Sequence, residues 1–346
     1  MKKLSKLTAL LLALTMALSL AACSNNPGAA DTQPADTQPA ETKASQGEPA
    51  GDKTYTIGIC QLAPHPALDA ATQGFKDALV EKLGEGNVKF NEGNASGDSS
   101  LCPTIVDGFV SEKVDLILAN ATAPLQAAAS ATSTIPVLGT SVTDYATALE
   151  ISDWSGTVGT NVSGTSDLAP LDQQAAMIQE IFPDAQTVGL LYCSGEPNSA
   201  YQCDVIEGHL KGMGYEVKRF AFNDTNDVAS VTQAACEGSD VIYIPTDNTA
   251  ADNTEAIANV VLPAKVPVVA GEEGLCKGCG VVTLTISYYD IGHIAGEMAY
   301  DILVNGADVS TMPVKSAPEV TKKYNAANCQ ALGITAPEGY EAIAAE

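Results

Sequence analysis

The chain carries one strand pattern twice. Thr56–Cys60 (TIGIC) is matched by Thr187–Leu191 (TVGLL), and Ile135–Leu138 (IPVL) is matched by Val266–Val269 (VPVV). Both pairs are 131 residues apart. Matches in the same order at a near-constant offset indicate two similar lobes in tandem.

Within each copy, short apolar runs alternate with helical patterns. In the first copy, Pro66 opens a helix that Gly84 ends, and further strands are predicted at Val88–Phe90 and Val114–Leu118. Such alternation gives a parallel sheet with right-handed crossovers. The predicted fold class is therefore α/β, with two similar doubly wound parallel-sheet lobes.

Small polar residues gather directly after the predicted strands. The clusters are Gln61–His65, Asn94–Ser96, Asn120–Thr122 and Thr140–Ser141 in the first copy, and Ser194–Ser199, Thr246–Asn248 and Gly271–Glu273 in the second. Parallel α/β sheets bind ligands beyond the carboxyl ends of their strands. Two lobes that face each other across such edges form a cleft that can close on a small molecule.

Charge and motifs exclude several function classes. The formal net charge of −25 argues against a nucleic-acid partner. Arg219 is the single arginine, so an arginine clamp on a ligand carboxylate is not expected. The sequence has no Walker loop, no HExxH and no GxSxG, and its three histidines lack metal-ligand spacing. No enzymatic activity, cofactor or metal is therefore predicted.

The N-terminus has the pattern of an export signal. Three lysines precede the apolar run Leu7–Leu20, which is short for a membrane span. The order Leu-Ala-Ala-Cys resembles a bacterial lipobox, which implies a signal peptide at 1–22 and lipidation of Cys23. Residues 23–53 contain Asp-Thr-Gln-Pro-Ala twice and are predicted to be a disordered tether.

Further motifs resemble one family. They are Ile57–Gln61 with His65–Asp69, Asn161–Asp167, Pro245–Thr249 and Ala270–Gly274. Together they resemble ABC transporter substrate-binding lipoproteins of the tryptophan/tyrosine-type group, over nearly all of Tyr55–Ala336. The resemblance implies the type 1 periplasmic-binding-protein fold, in which a three-stranded hinge joins the lobes. It places lobe one at 54–164 and lobe two at 165–285, returns 286–312 to lobe one and puts 313–346 on lobe two.

The resemblance also implies a function. The chain is expected to be a monomer outside the cytoplasm, held at the membrane by its lipid anchor. It would capture an amino acid, with an aromatic one favoured, and deliver it to the transmembrane subunits of an ABC permease. Alternatives are a ligand-sensing receptor lipoprotein that signals through a separate protein, or an importer component for a branched-chain amino acid, a nucleoside or a sugar.

Candidate ligand residues follow from the chemistry of an amino acid. Helix N-termini and hydroxyl groups suit its carboxylate, carboxylates suit its ammonium group, and rings suit an aromatic side chain. The predicted site residues are Ala121, Thr122, Ser141 and Ser199 for the carboxylate, Asp167, Asp247 and Glu272 for the ammonium, His65 and Tyr288 for the wall, and Gln61, Ser166, Ser194, Asn198 and Asn248 nearby.

Several of these residues have a structural alternative. Asp247 and Asn248 could cap the following helix, and His65 could be a solvent-facing turn residue. Glu272 could belong to an exposed acidic loop, and Tyr288 could be a core residue at a lobe junction.

The cysteines leave their redox state open. Apart from Cys23 there are eight, and disulfides are permitted outside the cell. Cys60–Cys102 and Cys193–Cys203 are candidate disulfide pairs. Cys276 and Cys279 form a CxxC that is predicted to lie in a glycine-rich loop, where a local disulfide, free thiols and a metal or redox role are the alternatives.

Overall fold

The structure, a computed structural model, describes residues 53–344. The predicted signal peptide, Cys23 and nearly all of the predicted tether lie outside the described residues. Between residues 53 and 344, no helix is long and apolar enough to cross a membrane.

Strands and helices alternate through most of the described chain. The strands are β1 Tyr55–Gln61, β2 Val88–Asn94, β3 Leu116–Asn120, β4 Val137–Val142, β5 Val162–Ser166, β6 Thr187–Cys193, β7 Glu216–Phe222, β8 Val241–Ile244, β9 Val268–Ala270, β10 Val282–Thr285, β11 Lys315–Ser316, β12 Thr321–Tyr324 and β13 Glu341–Ala342. The helices are α1 Pro66–Leu83, α2 Cys102–Glu112, α3 Thr122–Ala131, α4 Tyr145–Ala148, α5 Leu171–Ile181, α6 Pro197–Gly212, α7 Val228–Gly238, α8 Asn248–Asp252, α9 Thr254–Ala264, α10 Glu273–Gly278, α11 Tyr288–Leu303 and α12 Ala326–Leu332.

The strands form two sheets. The first has the order β2-β1-β3-β4-β5-β11, and all its pairs are parallel. The second has the order β7-β6-β8-β9-β10-β12-β13, in which only the β10–β12 pair is antiparallel. Apolar side chains are buried on both faces of each sheet. The predicted α/β fold with two doubly wound lobes is confirmed.

Three segments connect the lobes: 167–170 after β5, 286–287 after β10 and 317–320 after β11. Side chains from all three, Ala169, Ile286 and Ala317, pack into one small apolar cluster with the N-terminal turns of α1 and α11. This cluster is the core of the hinge, and the segments can change their backbone angles when the lobes move.

The sheet of the first lobe is larger than the predicted lobe boundaries allow. Thr165 and Ser166, predicted to start lobe two, still belong to β5. Lys315 and Ser316, predicted to lie on lobe two, pair with them as β11. The parallel pairing of β11 with β5 keeps both short segments in the first sheet.

Helices α1 and α11 lie unusually close together, because small residues line their interface. A Cβ atom at Gly292 would lie 2.0 Å from the carbonyl oxygen of Ala71. A Cβ atom at Gly74 would lie 2.1 Å from the carbonyl oxygen of Tyr289. This packing attaches α11 to the first lobe, although its sequence follows the second.

The eight described cysteines are free thiols. Cys60 and Cys102, a candidate disulfide pair, are buried and lie close enough for Cys102 to raise the pKa of Cys60, but no disulfide joins them. The Cys193–Cys203 pair is wrong, because these residues pack into cores on opposite faces of the second sheet. Cys276 lies on α10 rather than in a glycine-rich loop, and the Cys279 thiol donates to the Leu275 carbonyl.

Candidate functional site

A small cavity of about 10 Å³ lies between the two lobes. We call it the inner cavity. Its lining residues are His65, Leu68, Ser141, Asp167 and Tyr288 from the first lobe and its hinge, and Asn198, Thr246, Asp247, Asn248, Ala251 and Glu272 from the second. A cavity of this size holds about one water-sized group.

A larger groove of about 930 Å³, which we call the outer groove, adjoins the inner cavity. The two share Asn198 and Asn248 in their linings. Its volume falls in the range of about 300–1,000 Å³ that is usual for small-molecule sites. Five carboxylates line it: Asp98, Asp107, Glu196, Asp224 and Asp252.

Asp247 stands where β8 ends and α8 begins. One of its carboxylate oxygens accepts from the Ala250 N–H at 2.8 Å, and the other accepts from the Cys193 N–H at 2.6 Å. Asp247 therefore caps α8, as its structural alternative predicted, and it also lines the inner cavity. Burial and the nearby Glu196 raise the pKa of Asp247 to about 8.

Glu272 caps α10 in the same way. Its carboxylate accepts from the N–H groups of Gly274 and Leu275, and its side chain is buried rather than part of an exposed loop. Burial raises the pKa of Glu272 to about 7, although the two hydrogen bonds oppose this shift. The carboxyl group thus faces the cavity from the second lobe.

Asp167 is the least satisfied carboxylate of the site. It follows β5 directly, where the chain leaves the first lobe, and one oxygen accepts from the Tyr288 hydroxyl at 2.9 Å. Among residues 53–344, the other oxygen is buried and has no hydrogen bond of normal geometry, although the nearby Thr143 hydroxyl opposes the rise in the pKa of Asp167; the hydroxyl of Ser141 is also buried and unpartnered. Burial raises the pKa of Asp167. Unpaired buried polar atoms are costly, so their concentration here points to a ligand.

Two hydrogen-bond contacts join the lobes beside the inner cavity. His65 Nε2 lies 3.3 Å from Asn248 Oδ1, and Gln202 Nε2 donates to Thr143 Oγ1 at 3.4 Å. Burial lowers the pKa of His65, which favours its neutral form. These two contacts connect the walls of the cleft. Opening of the cleft would have to break both of these hydrogen bonds.

Acidic side chains predominate among the ionisable residues that line the two cavities. Among residues 53–344, no lysine or arginine lines the inner cavity or the outer groove. Arg219 lies on the surface of the second lobe, where it pairs with Asp204 and Glu207. Among residues 53–344, no cluster of three histidine, cysteine or acidic side chains has the geometry to hold a metal ion. The site is therefore suited to a ligand that brings a positive charge.

Comparison with known proteins identifies the family. The profile of the family described as ABC transporter substrate binding protein matches residues 56–346. The chain belongs to this family. A curated relative of this substrate-binding protein, a tyrosine-binding protein from Clostridioides difficile (strain R20291), is 34% identical over 282 residues, which span 81% of each chain.

Two solved structures are similar to this substrate-binding protein. The ABC domain in complex with L-Trp from Streptococcus pneumonia is 31% identical, with a TM-score of 0.80, and covers 84% of this chain and all of its own. The ligand-free, open structure of a substrate binding protein with adhesive properties from Clostridium difficile is 34% identical, with a TM-score of 0.66, and covers 85% of this chain and all of its own. Although the identities are similar, the overall structural match is better to the L-Trp complex than to the ligand-free, open structure.

The substrate-binding protein brings most of the predicted site residues together. Eight of them line the inner cavity: His65, Ser141, Asp167, Asn198, Asp247, Asn248, Glu272 and Tyr288. Thr122, at the start of α3, lines the outer groove. Whether these residues contact a ligand stays a prediction.

Five predicted residues line neither cavity: Gln61, Ala121, Ser166, Ser194 and Ser199. Their hydrogen bonds lie within single lobes. Gln61 binds Asp69 and Thr72, Ser166 donates to the Thr143 carbonyl, and Ser194 donates to the Phe222 carbonyl. Ser199 supports Asp247 and Asn198 instead of facing the cleft, and Ala121 is the buried N-cap of α3.

Sequence reasoning missed two residues that shape the site. Glu196 accepts from the N–H groups of Asn248 and Thr249, so it holds the start of α8 from a different loop. Gln202 connects Thr246 of the second lobe with Thr143 of the first. Neither has a local signal, because both act on residues about 50 positions away.

Proposed function

We propose that this substrate-binding protein captures an amino acid with an aromatic side chain between its lobes and delivers it to the permease of an ABC importer. The observation that carries the proposal is the inner cavity, where three buried carboxyl groups meet unpartnered polar atoms and, among residues 53–344, no lysine or arginine. The relatives described as binding tyrosine or L-Trp support the ligand class.

The ammonium group of the ligand would occupy the inner cavity. Asp167 from the first lobe and Glu272 from the second approach it from opposite walls, and the Ser141 hydroxyl adds an acceptor. Hydrogen bonds between an ammonium and carboxylates are short and strong. Contacts from both lobes would stabilise the closed arrangement over an open one.

The carboxylate of the ligand would face the start of α3. This helix begins at Thr122 and its N-cap residue makes no side-chain hydrogen bond, so its first N–H groups and the Thr122 hydroxyl would be available to an anion. Apolar atoms of Leu62, Ala63, Pro103 and Pro197 in the outer groove would contact the aromatic ring.

The remaining parts of the function follow the same proposal. The protein would work outside the cytoplasm as a lipid-anchored monomer, attached through Cys23, and bind its ligand without chemical change. The transmembrane subunits of the permease would be its partner. Loss of membrane association in a Cys23→Ser variant would support the anchor.

Isothermal titration calorimetry of the full chain with the twenty amino acids tests the ligand class. We expect heat with tyrosine, tryptophan or phenylalanine and none with aspartate or glutamate. Asp167→Asn should weaken binding about 10- to 100-fold, since a hydrogen bond to a charged group contributes about 1.5–3 kcal/mol. The surface variant Asp172→Asn is the control. The proposal fails if aromatic amino acids do not bind.

A further inference from the structure

We infer that the cleft recognises its ligand by the amine and does not require the carboxylate, so that aromatic primary amines form a second ligand class. Tryptamine and tyramine are the simplest examples. The inference rests on the proposed function for the site, but it can fail while that function stands, because it concerns one group of the ligand.

The charge of the site carries the first step. Asp167, Asp247 and Glu272 line the inner cavity, and no lysine or arginine of the described part of the chain does. A buried carboxyl group keeps its proton unless a positive charge accompanies its ionised form, and a bound ammonium group would supply that charge. A zwitterionic amino acid brings one positive and one negative charge, whereas a primary amine brings the positive charge alone.

Unpartnered atoms carry the second step, independently of charge. Within residues 53–344, one oxygen of Asp167 and the hydroxyl of Ser141 have no hydrogen-bond partner, although these residues are only 4% and 6% exposed and both line the inner cavity. A primary ammonium has three donors on one small group. The cavity volume of about 10 Å³ matches a group of that size and not a whole amino acid.

The outer groove carries the third step. A ligand held by its amine in the inner cavity would extend past Asn198 and Asn248, the residues that both cavities share. In the part of the chain that the structure describes, five acidic side chains and no basic one line the groove beyond them. Like charges repel a ligand carboxylate in this space, so the N–H groups at the start of α3 would offset that repulsion rather than add affinity.

Calorimetry of the full chain with matched ligands tests the inference. The ligands are L-tryptophan, tryptamine, N-acetyl-L-tryptophan and indole-3-propionate, together with L-tyrosine and tyramine. At pH 7.5, we expect each amine to bind within about tenfold of its amino acid. We expect the two ligands without a free amine to bind about 100-fold or more weakly than L-tryptophan, because they cannot form the charge-assisted hydrogen bonds.

Variants separate the inference from general damage to the cleft. Asp167→Asn should weaken the binding of tryptamine and of L-tryptophan by similar factors, and Asp172→Asn should change neither affinity. Thermal unfolding of each variant confirms that it is folded. Equal losses for both ligands would show that Asp167 acts on the amine.

The outcomes distinguish the inference from the proposed function. Binding of the amino acids with no binding of the amines overturns the inference and leaves the proposed function. Binding of the amines alone supports the inference and removes the amino acid as ligand. Binding of indole-3-propionate as tight as tryptamine overturns the inference, and no binding of any aromatic ligand overturns both.

Discussion

Replacing Glu272 by glutamine should change how the stability of the protein depends on pH. Glu272 is buried in the cleft, and burial raises the pKa of its carboxyl group to about 7, from the model-peptide value of 4.5. A difference of about 2.5 pH units corresponds to about 3 kcal/mol between the protonation states. That free energy sets the size of the expected effect.

The sign follows from where the proton is held. Below the unfolded value of 4.5, the carboxyl is neutral in both states and contributes no pH dependence. As the pH rises from there to about 7, the unfolded chain releases its proton while the folded protein retains it. The free energy of unfolding therefore falls, by up to about 1.4 kcal/mol per pH unit, and the loss is constant above pH 7.

Urea unfolding of the full chain without ligand, between pH 5 and 8, measures this effect. The side chain of the Glu272→Gln variant cannot ionise. Between pH 5 and 8 the free energy of unfolding of this variant should therefore rise by about 2–3 kcal/mol relative to that of wild type. The variant should also be about 1 kcal/mol less stable at every pH, because an amide caps α10 less well than a carboxyl group. Glu255→Gln, an exposed change in the first turn of α9, is the control. Parallel pH curves for wild type and Glu272→Gln would refute the reasoning.

Three further predictions use other parts of the molecule. Gly292→Ala should lower the free energy of unfolding by about 3 kcal/mol, because its Cβ would meet the Ala71 carbonyl. Gly208→Ala, with open space around it in α6, should raise the free energy of unfolding by up to about 1 kcal/mol. Urea unfolding measures both changes, and equal effects would contradict the packing argument. Arg219→Ala should leave ligand affinity in calorimetry within about twofold, because its ion pairs lie on the surface, and a large loss would place it in the site. In the folded protein, a thiol reagent should label Cys236 before the other described cysteines, which are buried. Mass spectrometry of peptides measures the order of labelling, and earlier labelling of a buried cysteine would contradict the prediction.

Local signals in the sequence determined the elements and their order. Pro66 fits the first position of α1, and Gly84 adopts a positive φ of 85° at its end, so the predicted helix has the observed bounds. The repeated strand motifs predicted two lobes, and the polar residues that follow them predicted where the cleft lies. Each of these signals depends on residues a few positions apart, and such residues are read directly from the chain.

Tertiary structure decided which polar residues face the cleft. Asp167 meets Tyr288, which is 121 positions away, and His65 meets Asn248 from the other lobe at a separation of 183. Ser194 and Ser199 have the same local pattern as the residues that line the inner cavity, but their hydroxyls are used within their own lobe. Burial and hydrogen bonding depend on which distant segments come together, and no stretch of sequence contains that information by itself.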